Sequence, residues 1–315
     1  MNERASMRRA RILALAVVLL TGGAPRAGHA ADEIIAASGA GDAAHPSRTS
    51  GSGMPPSQPS LVAAVLPSTR SVEVGTTATA FVTIINAGAG TALNVGIGLP
   101  PAIPASLAFR TTDCATNAVT GGPSVPADIP AGGTECYVIG VVPTAPFAPQ
   151  EISFTFAGTN TAPVSVLPGI NTLFLSGNST PTADVVALAA TVGGNGILDI
   201  PGATGTGAFS VAVSNVGITA AVTVLADTGT TALPLTFAIC ETDVLGDCKG
   251  LARPFVTVNL PGLLDTGVAG TATYAVFVTG TGTVALDPAT NRVFIRFVDV
   301  ANVARGATSV AVQTQ

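Results

Sequence analysis

The phrase FVTIINAGAG, beginning at Phe81, returns as FSVAVSNVGI beginning at Phe209. In both, a run rich in β-branched residues leads into Asn-x-Gly, at Asn86 and Gly88 and again at Asn215 and Gly217. β-branched side chains favour a pleated strand. Asn and Gly end one: the Asn side chain hydrogen-bonds backbone two residues on, and Gly accepts the positive φ of a tight reversal. A chain that writes the same strand and the same stop twice is constrained to fold as two copies of one unit. TECYVIGVV around Tyr137 returns as TATYAVFVT around Tyr274. The copies lie further apart at the tyrosines than at the asparagines, which is what loop insertion on a fixed scaffold produces.

The remaining pattern has a period of two. In EISFTF, Ile152, Phe154 and Phe156 fall on one face and Glu151, Ser153 and Thr155 on the other; RVFIRF sets Val293, Ile295 and Phe297 against Arg292 and Arg296. Such alternation marks half-buried strands. No i, i+3, i+4 pattern persists for three turns, so the expected fold is all-β with little helix. Charged residues make up 10% of the chain and hydrophobic ones 47%, a balance that suggests a membrane protein until the 36 Gly and 23 Pro are placed. They interrupt every apolar run beyond residue 30 well short of the roughly 18 residues that a transmembrane helix needs.

The first thirty residues read as an export signal. Arg4, Arg8, Arg9 and Arg11 form a basic start, ILALAVVLL an apolar centre too short to span, and Gly28 and Ala30 supply small residues for cleavage. No Cys follows that centre, which argues against a lipid anchor, and the C-terminal GATSVAVQTQ reads as a final strand. The whole chain carries a net charge of −5, and removing the signal takes away five Arg with one Glu. The acidic remainder, with Lys249 its single lysine, has no basic stripe to neutralise phosphates and excludes a nucleic-acid partner. The expected organisation is a signal peptide over 1–30, a disordered Ala/Gly/Ser/Pro-rich lead over 31–60, a first sandwich over 61–175, a linker over 176–183 and a second sandwich over 184–315. The lead is too poor in apolar residues to offset its ordering entropy.

The series FVTIINAGAGTALNVGIGLP followed by IPAGGTECYVIGVVPT resembles the Ig-like modules of bacterial secreted and surface proteins, of the cell-adhesion-related and conserved-repeat types. The resemblance covers most of the first copy and, less closely, the second. It implies two tandem Ig-like Greek-key β-sandwiches and a role as spacer, adhesive unit or accessory module.

Candidate residues for chemistry are few. Cys114, Cys136, Cys240 and Cys248 read as two structural disulfides of an exported protein. Three pairings are open, and pairing within each copy is the economical one. Glu241, Asp243 and Asp247, inside the Cys240 to Cys248 loop, supply the hard oxygens that Ca²⁺ takes, although their spacing fits no EF-hand; a polar hairpin tip accounts for them equally well. Tyr137 and Tyr274 are expected to bury their rings and tie their hydroxyls to upstream backbone, as in other sandwiches. The alternative, a platform for stacking sugars, calls for exposed rings. Arg292, Arg296 and Arg305 form the one basic grouping; it reads as a solvated face and as the first place to look for a contact surface for an acidic partner or glycan. Asn178 heads an N-glycosylation sequon. His29 and His45 both fall before residue 61, so no histidine-dependent triad or zinc site is expected in a folded part.

These readings point to an exported, non-enzymatic structural or interaction module of adhesion type, secreted, periplasmic or at the cell surface. It would need no cofactor, would have no transmembrane segment after signal removal, and would take a protein or glycan of the cell surface as partner. The alternatives are a carbohydrate-binding or calcium-dependent adhesive module and, after it, a secreted hydrolase of unrecognised type.

Overall fold

A computed structural model describes residues 58–315. The expected signal peptide, and the lead up to residue 57, lie outside the described residues.

The alternating runs form strands throughout, with one helical turn. In the first copy these are β1 (Leu61–Leu66), β2 (Thr69–Glu73), β3 (Ala78–Asn86), β4 (Ala92–Gly98), β5 (Ala105–Thr112), β6 (Ala127–Ile129), β7 (Thr134–Pro143), β8 (Phe147–Ser153), β9 (Thr155–Ala157) and β10 (Thr172–Asn178). The second copy contains β11 (Val185–Ala190), β12 (Ile197–Ile200), β13 (Thr206–Asn215), β14 (Ala220–Asp227), β15 (Leu235–Thr242) and β16 (Phe255–Leu260). It continues through α1 (Leu263–Thr266), β17 (Gly270–Gly280), β18 (Arg292–Val298) and β19 (Ala304–Thr314). The chain is all-β and has the sheet pairing of an Ig-like sandwich.

The internal repeat is visible in the topology. One sheet of the first copy runs β1-β3-β7-β5, and its counterpart runs β11-β13-β17-β15. In the opposite layer β2 pairs with β10 in parallel, as β12 does with β19. The second copy completes that layer as one five-stranded sheet, β12-β19-β18-β14-β16, whereas the first splits it into β2-β10-β8 and β6-β4-β9. The break falls at Phe154. Ile152 pairs with Leu173 on one side of it and Phe156 with Ile97 on the other, so EISFTF, read from sequence as one strand, turns a corner between two sheets. All three of its apolar side chains remain buried, because the bend changes the pairing partner and preserves the inward face.

Each copy closes around its own core. Val65, Val82, Ile84, Ile139, Ile152 and Leu175 anchor one cluster; Val211, Val224, Ile239, Val276, Ile295 and Val312 anchor the other. Full burial of each such side chain stabilises the fold by about 1.5–3 kcal/mol. No sheet crosses from one copy to the other. Of the segment expected as linker, Ser176 to Asn178 belong to β10, with Ser176 buried, and only the residues after Asn178 connect the copies outside any strand. Among the described residues no helix is long and apolar enough to cross a membrane.

Candidate functional site

Asn86 and Asn215 are fully buried and each makes four hydrogen bonds. Asn86 Oδ1 accepts from Ser60 N (3.2 Å) and Gly88 N (3.1 Å), and its Nδ2 donates to Gly90 O (2.7 Å) and Ile129 O (2.9 Å). Asn215 repeats the set with Asp184 N (3.1 Å), Gly217 N (3.1 Å), Ile218 O (2.8 Å) and Leu260 O (3.1 Å). Both donors and both acceptor lone pairs of each amide are used. Each asparagine thus ties the chain entering a sandwich to the turn that follows and to the facing layer. The glycines serve another purpose than the one expected. Neither has a positive φ. A Cβ on Gly88 would lie 2.4 Å from Gln58 O and Ser60 N, and one on Gly217 would lie 2.1 Å from Thr182 O, so both are glycine because incoming backbone passes against them.

Tyr137 and Tyr274 have rings fully out of solvent, where neither can stack on a sugar. Tyr137 Oη donates to Val95 O at 3.3 Å, whereas Tyr274 Oη is buried without a partner, against expectation. Burial raises the pKa of both hydroxyls, and the nearby carboxylates of Glu135 and Glu241 add to the effect.

The disulfides join Cys114 to Cys136 and Cys240 to Cys248. Closing loops of these lengths restricts the unfolded chain by about 3.5 and 2.5 kcal/mol respectively, by chain entropy. Inside the shorter loop the carboxylates do not converge on a cation. Glu241 pairs with Lys249 at 2.5 Å, Asp243 Oδ1 accepts Leu245 N (2.9 Å) and Asp247 N (3.0 Å), and only the Asp247 carboxylate stands free. Among the described residues no three His, Cys, Asp or Glu side chains gather as metal ligands. The loop is a hairpin tip held by its own backbone amides.

The arginine grouping is not a free face. Arg292 is 7% exposed; it donates to Ser309 Oγ through Nε (3.0 Å) and Nη2 (2.9 Å) and to Pro288 O through Nη1 (2.8 Å), and burial pushes its pKa down to about 10. Arg296 pairs with Asp227 at 2.5 Å and lies over the Phe294 ring, 5.1 Å from its centre. Arg305 pairs with Asp299 at 2.7 Å. Sequence reasoning treated them as solvated because charge in an alternating strand faces water by default. Each instead meets an acceptor contributed by a neighbouring strand or turn.

Arg305 leads to the most heavily built polar site among the described residues, the seam between the copies. Its Nη1 also donates to Asn178 Oδ1 (2.9 Å) and Ser71 Oγ (3.2 Å) of the first copy. Beside it, Arg70 Nε and Nη2 reach Asp184 Oδ2 at 3.0 and 2.8 Å, Ser71 N donates to Asp184 Oδ1 at 2.9 Å, and Arg70 Nη1 donates to Thr79 O at 2.6 Å. The two charged side chains are only 13% and 5% exposed. Ser68 Oγ and Thr69 Oγ1 both donate to Ala307 O at 3.2 Å, and Gly169 sits close enough to Phe294 and Ser309 that a Cβ there would lie 3.1 Å from each. Asn178 spends its amide nitrogen on Val72 O, Ser71 Oγ and Ser176 Oγ, so the sequon asparagine is engaged in the seam. The Asp299 carboxyl lies below its ordinary value: burial works to raise it, but the Val303 amide, Arg305 and the Ala301 amide together outweigh that. Arg70 and Asp184 were not foreseen. The available signal was a lone arginine in the apolar run around STRSVEV and an acid at the first position of the second copy.

An open cleft of about 360 Å³ near β4, β5 and β9 is lined by Ile97, Phe109, Pro126 and Ala157, with Ser124 and Thr155 its only polar side chains. It juxtaposes no acid, base or activated nucleophile.

No protein-family model matches the chain, and no curated protein matches it in sequence. Among solved structures it is similar to a variant of the major pilin subunit BcpA of Bacillus cereus, with 11% identity, a TM-score of 0.26, and coverage of 81% of this chain and 70% of that one. It is similar also to the collagen adhesin CNA of S. aureus, at 10% identity and TM-score 0.21 over 82% and 92% of the two chains. The secreted serine protease VesC of Vibrio cholerae shows 10% identity and a TM-score of 0.22 over 70% and 46%. The fold assignment rests on this chain's own strands and their pairing.

Proposed function

We propose that the chain is an exported, non-enzymatic structural and interaction module in which two Ig-like sandwiches act as one stiff unit that presents loops and strand edges to a protein or glycan at the cell surface. The observation that carries this reading is the seam. A spacer meant to flex joins its domains by an exposed linker with few contacts across it. Here a largely buried arginine–aspartate pair, a second arginine and two hydroxyls reach across, and they fix orientation more than they add net stability. The two disulfides support an oxidising compartment. Fractionation of the native host with thiol labelling tests the proposal. Recovery of the chain from an exported fraction, unlabelled at its four cysteines and cross-linked to a surface protein or glycan, is the expected result. Recovery from the cytosol with free thiols, or turnover in a panel of hydrolase substrates, would overturn it.

A further inference from the structure

Sheet edges present unpaired N–H and C=O groups, and folded proteins cover them or blunt them with charge, proline, bulges or brevity. Among the described residues the edge strands of five residues or more meet this need in different ways. β5 is covered by the chain from Val119 to Ser124, which bonds back to Phe109 O and Thr111 O. β1 receives Ile170 O at Val65 N and lies against β9 and β10. β8 carries Pro149 and Glu151. β2 lies against β11 and β19 across the seam, and β11 lies against β2 and against β19 of its own copy. β15 is flanked by Lys249 to Arg253, which pairs with it at Glu241 and Ile239.

β16 is the least protected of them: it lies against β15 and β17 of the facing layer, but no loop and no segment of the first copy pairs with its free side. It pairs with β14 over its whole length without a bulge, and among the described residues its one backbone hydrogen bond outside that ladder is the one that Leu260 O accepts from Asn215 Nδ2. Its six residues, FVTVNL, contain no charge, no proline and no glycine. Its own counterpart in the first copy is the control. β6 occupies the same place, marked by the Asn86 bond to Ile129 O as β16 is by the Asn215 bond to Leu260 O. β6, however, has three residues, carries Asp128, is bracketed closely by Pro126 and Pro130, and meets β4 through a register shift. The same scaffold position is defended in one copy and left open in the other. In β16 Pro254 and Pro261 stand outside the strand and set its length.

We propose that β16 is a self-association edge, through which two copies of this chain pair antiparallel about a two-fold axis at Thr257. A second copy is the occupant that the strand's own sequence fits. Residues opposite one another in an antiparallel pair share a face, so the axis at Thr257 sets Val256 against Val258 of the partner copy on the core side. On the outer side Phe255 meets Asn259, and Thr257 meets its own symmetry mate. Val256 and Val258 are half-buried, and Phe255 is 59% exposed, so the pairing withdraws apolar surface from water on both faces. No like charges are opposed anywhere along the strand. The result is a continuous ten-stranded sheet closed by two-fold symmetry, which leaves no further edge of this kind.

Sedimentation equilibrium of the full exported chain over a broad concentration range tests the inference. Wild type is expected to populate a dimer. Thr257→Lys, at an exposed position, places two lysines on the axis and should weaken dimerisation by about tenfold or more. Thr257→Glu should do the same, and an equimolar mixture of the two variants should recover a heterodimer, which a mere folding defect would not allow. A wild-type chain that stays monomeric throughout would overturn the proposal, as would a dimer indifferent to both substitutions. A monomer that captures free FVTVNL peptide would instead give the edge to an extended peptide partner and would equally remove the second copy.

Discussion

The paired asparagines allow a comparison in which the two halves of the molecule serve as each other's reference. Asn86→Ala and Asn215→Ala each delete four hydrogen bonds, but the surroundings differ. Around Asn86 only the bond to Ile129 O is fully buried, and the other three lie where water can replace the amide. Around Asn215 the bonds to Asp184 N, Gly217 N and Leu260 O are buried, and only the one to Ile218 O is partly open. A replaceable hydrogen bond contributes under about 1 kcal/mol net, while a buried group left without a partner costs about 1–3 kcal/mol. The substitutions should therefore cost about 3 kcal/mol at Asn86 and about 5 kcal/mol at Asn215. Urea unfolding can separate the halves because the chain has no Trp and only two Tyr, one in each copy. Tyr274→Phe removes a hydroxyl that has no partner and leaves Tyr137 as reporter of the first copy; Tyr137→Phe leaves Tyr274 as reporter of the second. With a slope of about 1–3 kcal/mol per molar urea, the Asn215→Ala midpoint should fall by roughly 2 M or more. Equal losses at the two sites, a larger loss at Asn86, or a cost below about 1 kcal/mol at either would refute the reasoning from buried hydrogen bonds.

Asp184→Ala strands the largely buried Arg70 guanidinium and should destabilise the chain by about 3–5 kcal/mol, whereas Arg70→Met combined with Asp184→Leu should recover most of that loss; thermal unfolding of the three chains checks both statements. Acid should loosen the seam through Asp299. Its folded pKa is lowered, so the stability it confers is complete above its unfolded value near 4 and is lost as pH falls through the lower folded value. Amide exchange at Ser71 and Asn178, corrected for intrinsic rates, should therefore be faster at about pH 3 than at about pH 6, and Asp299→Asn should remove most of that difference.

Period-two alternation made the strands legible because it depends only on which face of a residue is buried. Duplication was legible from Asn86 and Asn215 because the same local solution is written with the same residues. The corner at Phe154 was not, since a strand that changes sheets keeps the same inward face and so the same alternation. Nor was the fate of the arginines. Arg296 and Arg305 alternate as solvent-facing residues should, yet one meets Asp227 across the sheet and the other meets Asn178 of the first copy. Local pattern carries no information about acceptors so distant in the chain. The Gly88 and Gly217 requirement was misread for a related reason: a close approach of backbone from elsewhere leaves the same letter in the sequence as a positive φ does.

Duplication of a sandwich also duplicates its edges, and the two copies have dealt with that in different places. In the first, β2 is spent on the seam, where Ser71 N meets the Asp184 carboxylate and finds no sheet partner on that side. The equivalent strand of the second copy, β12, makes, among the described residues, no hydrogen bond to the first copy and is only four residues long. In the first copy the β6 edge is shortened and charged; in the second it lengthens to β16 and loses its charge. The asymmetry is difficult to assign to folding alone, because the Asn215 tie that orients β16 needs only Leu260 at its end. The residues from Phe255 to Asn259 add an open ladder that the equivalent sandwich does without. An edge kept open at six uncharged residues carries a standing aggregation hazard unless a defined partner occupies it. That hazard is the physical reason to look for pairing at β16 before any other surface of the chain.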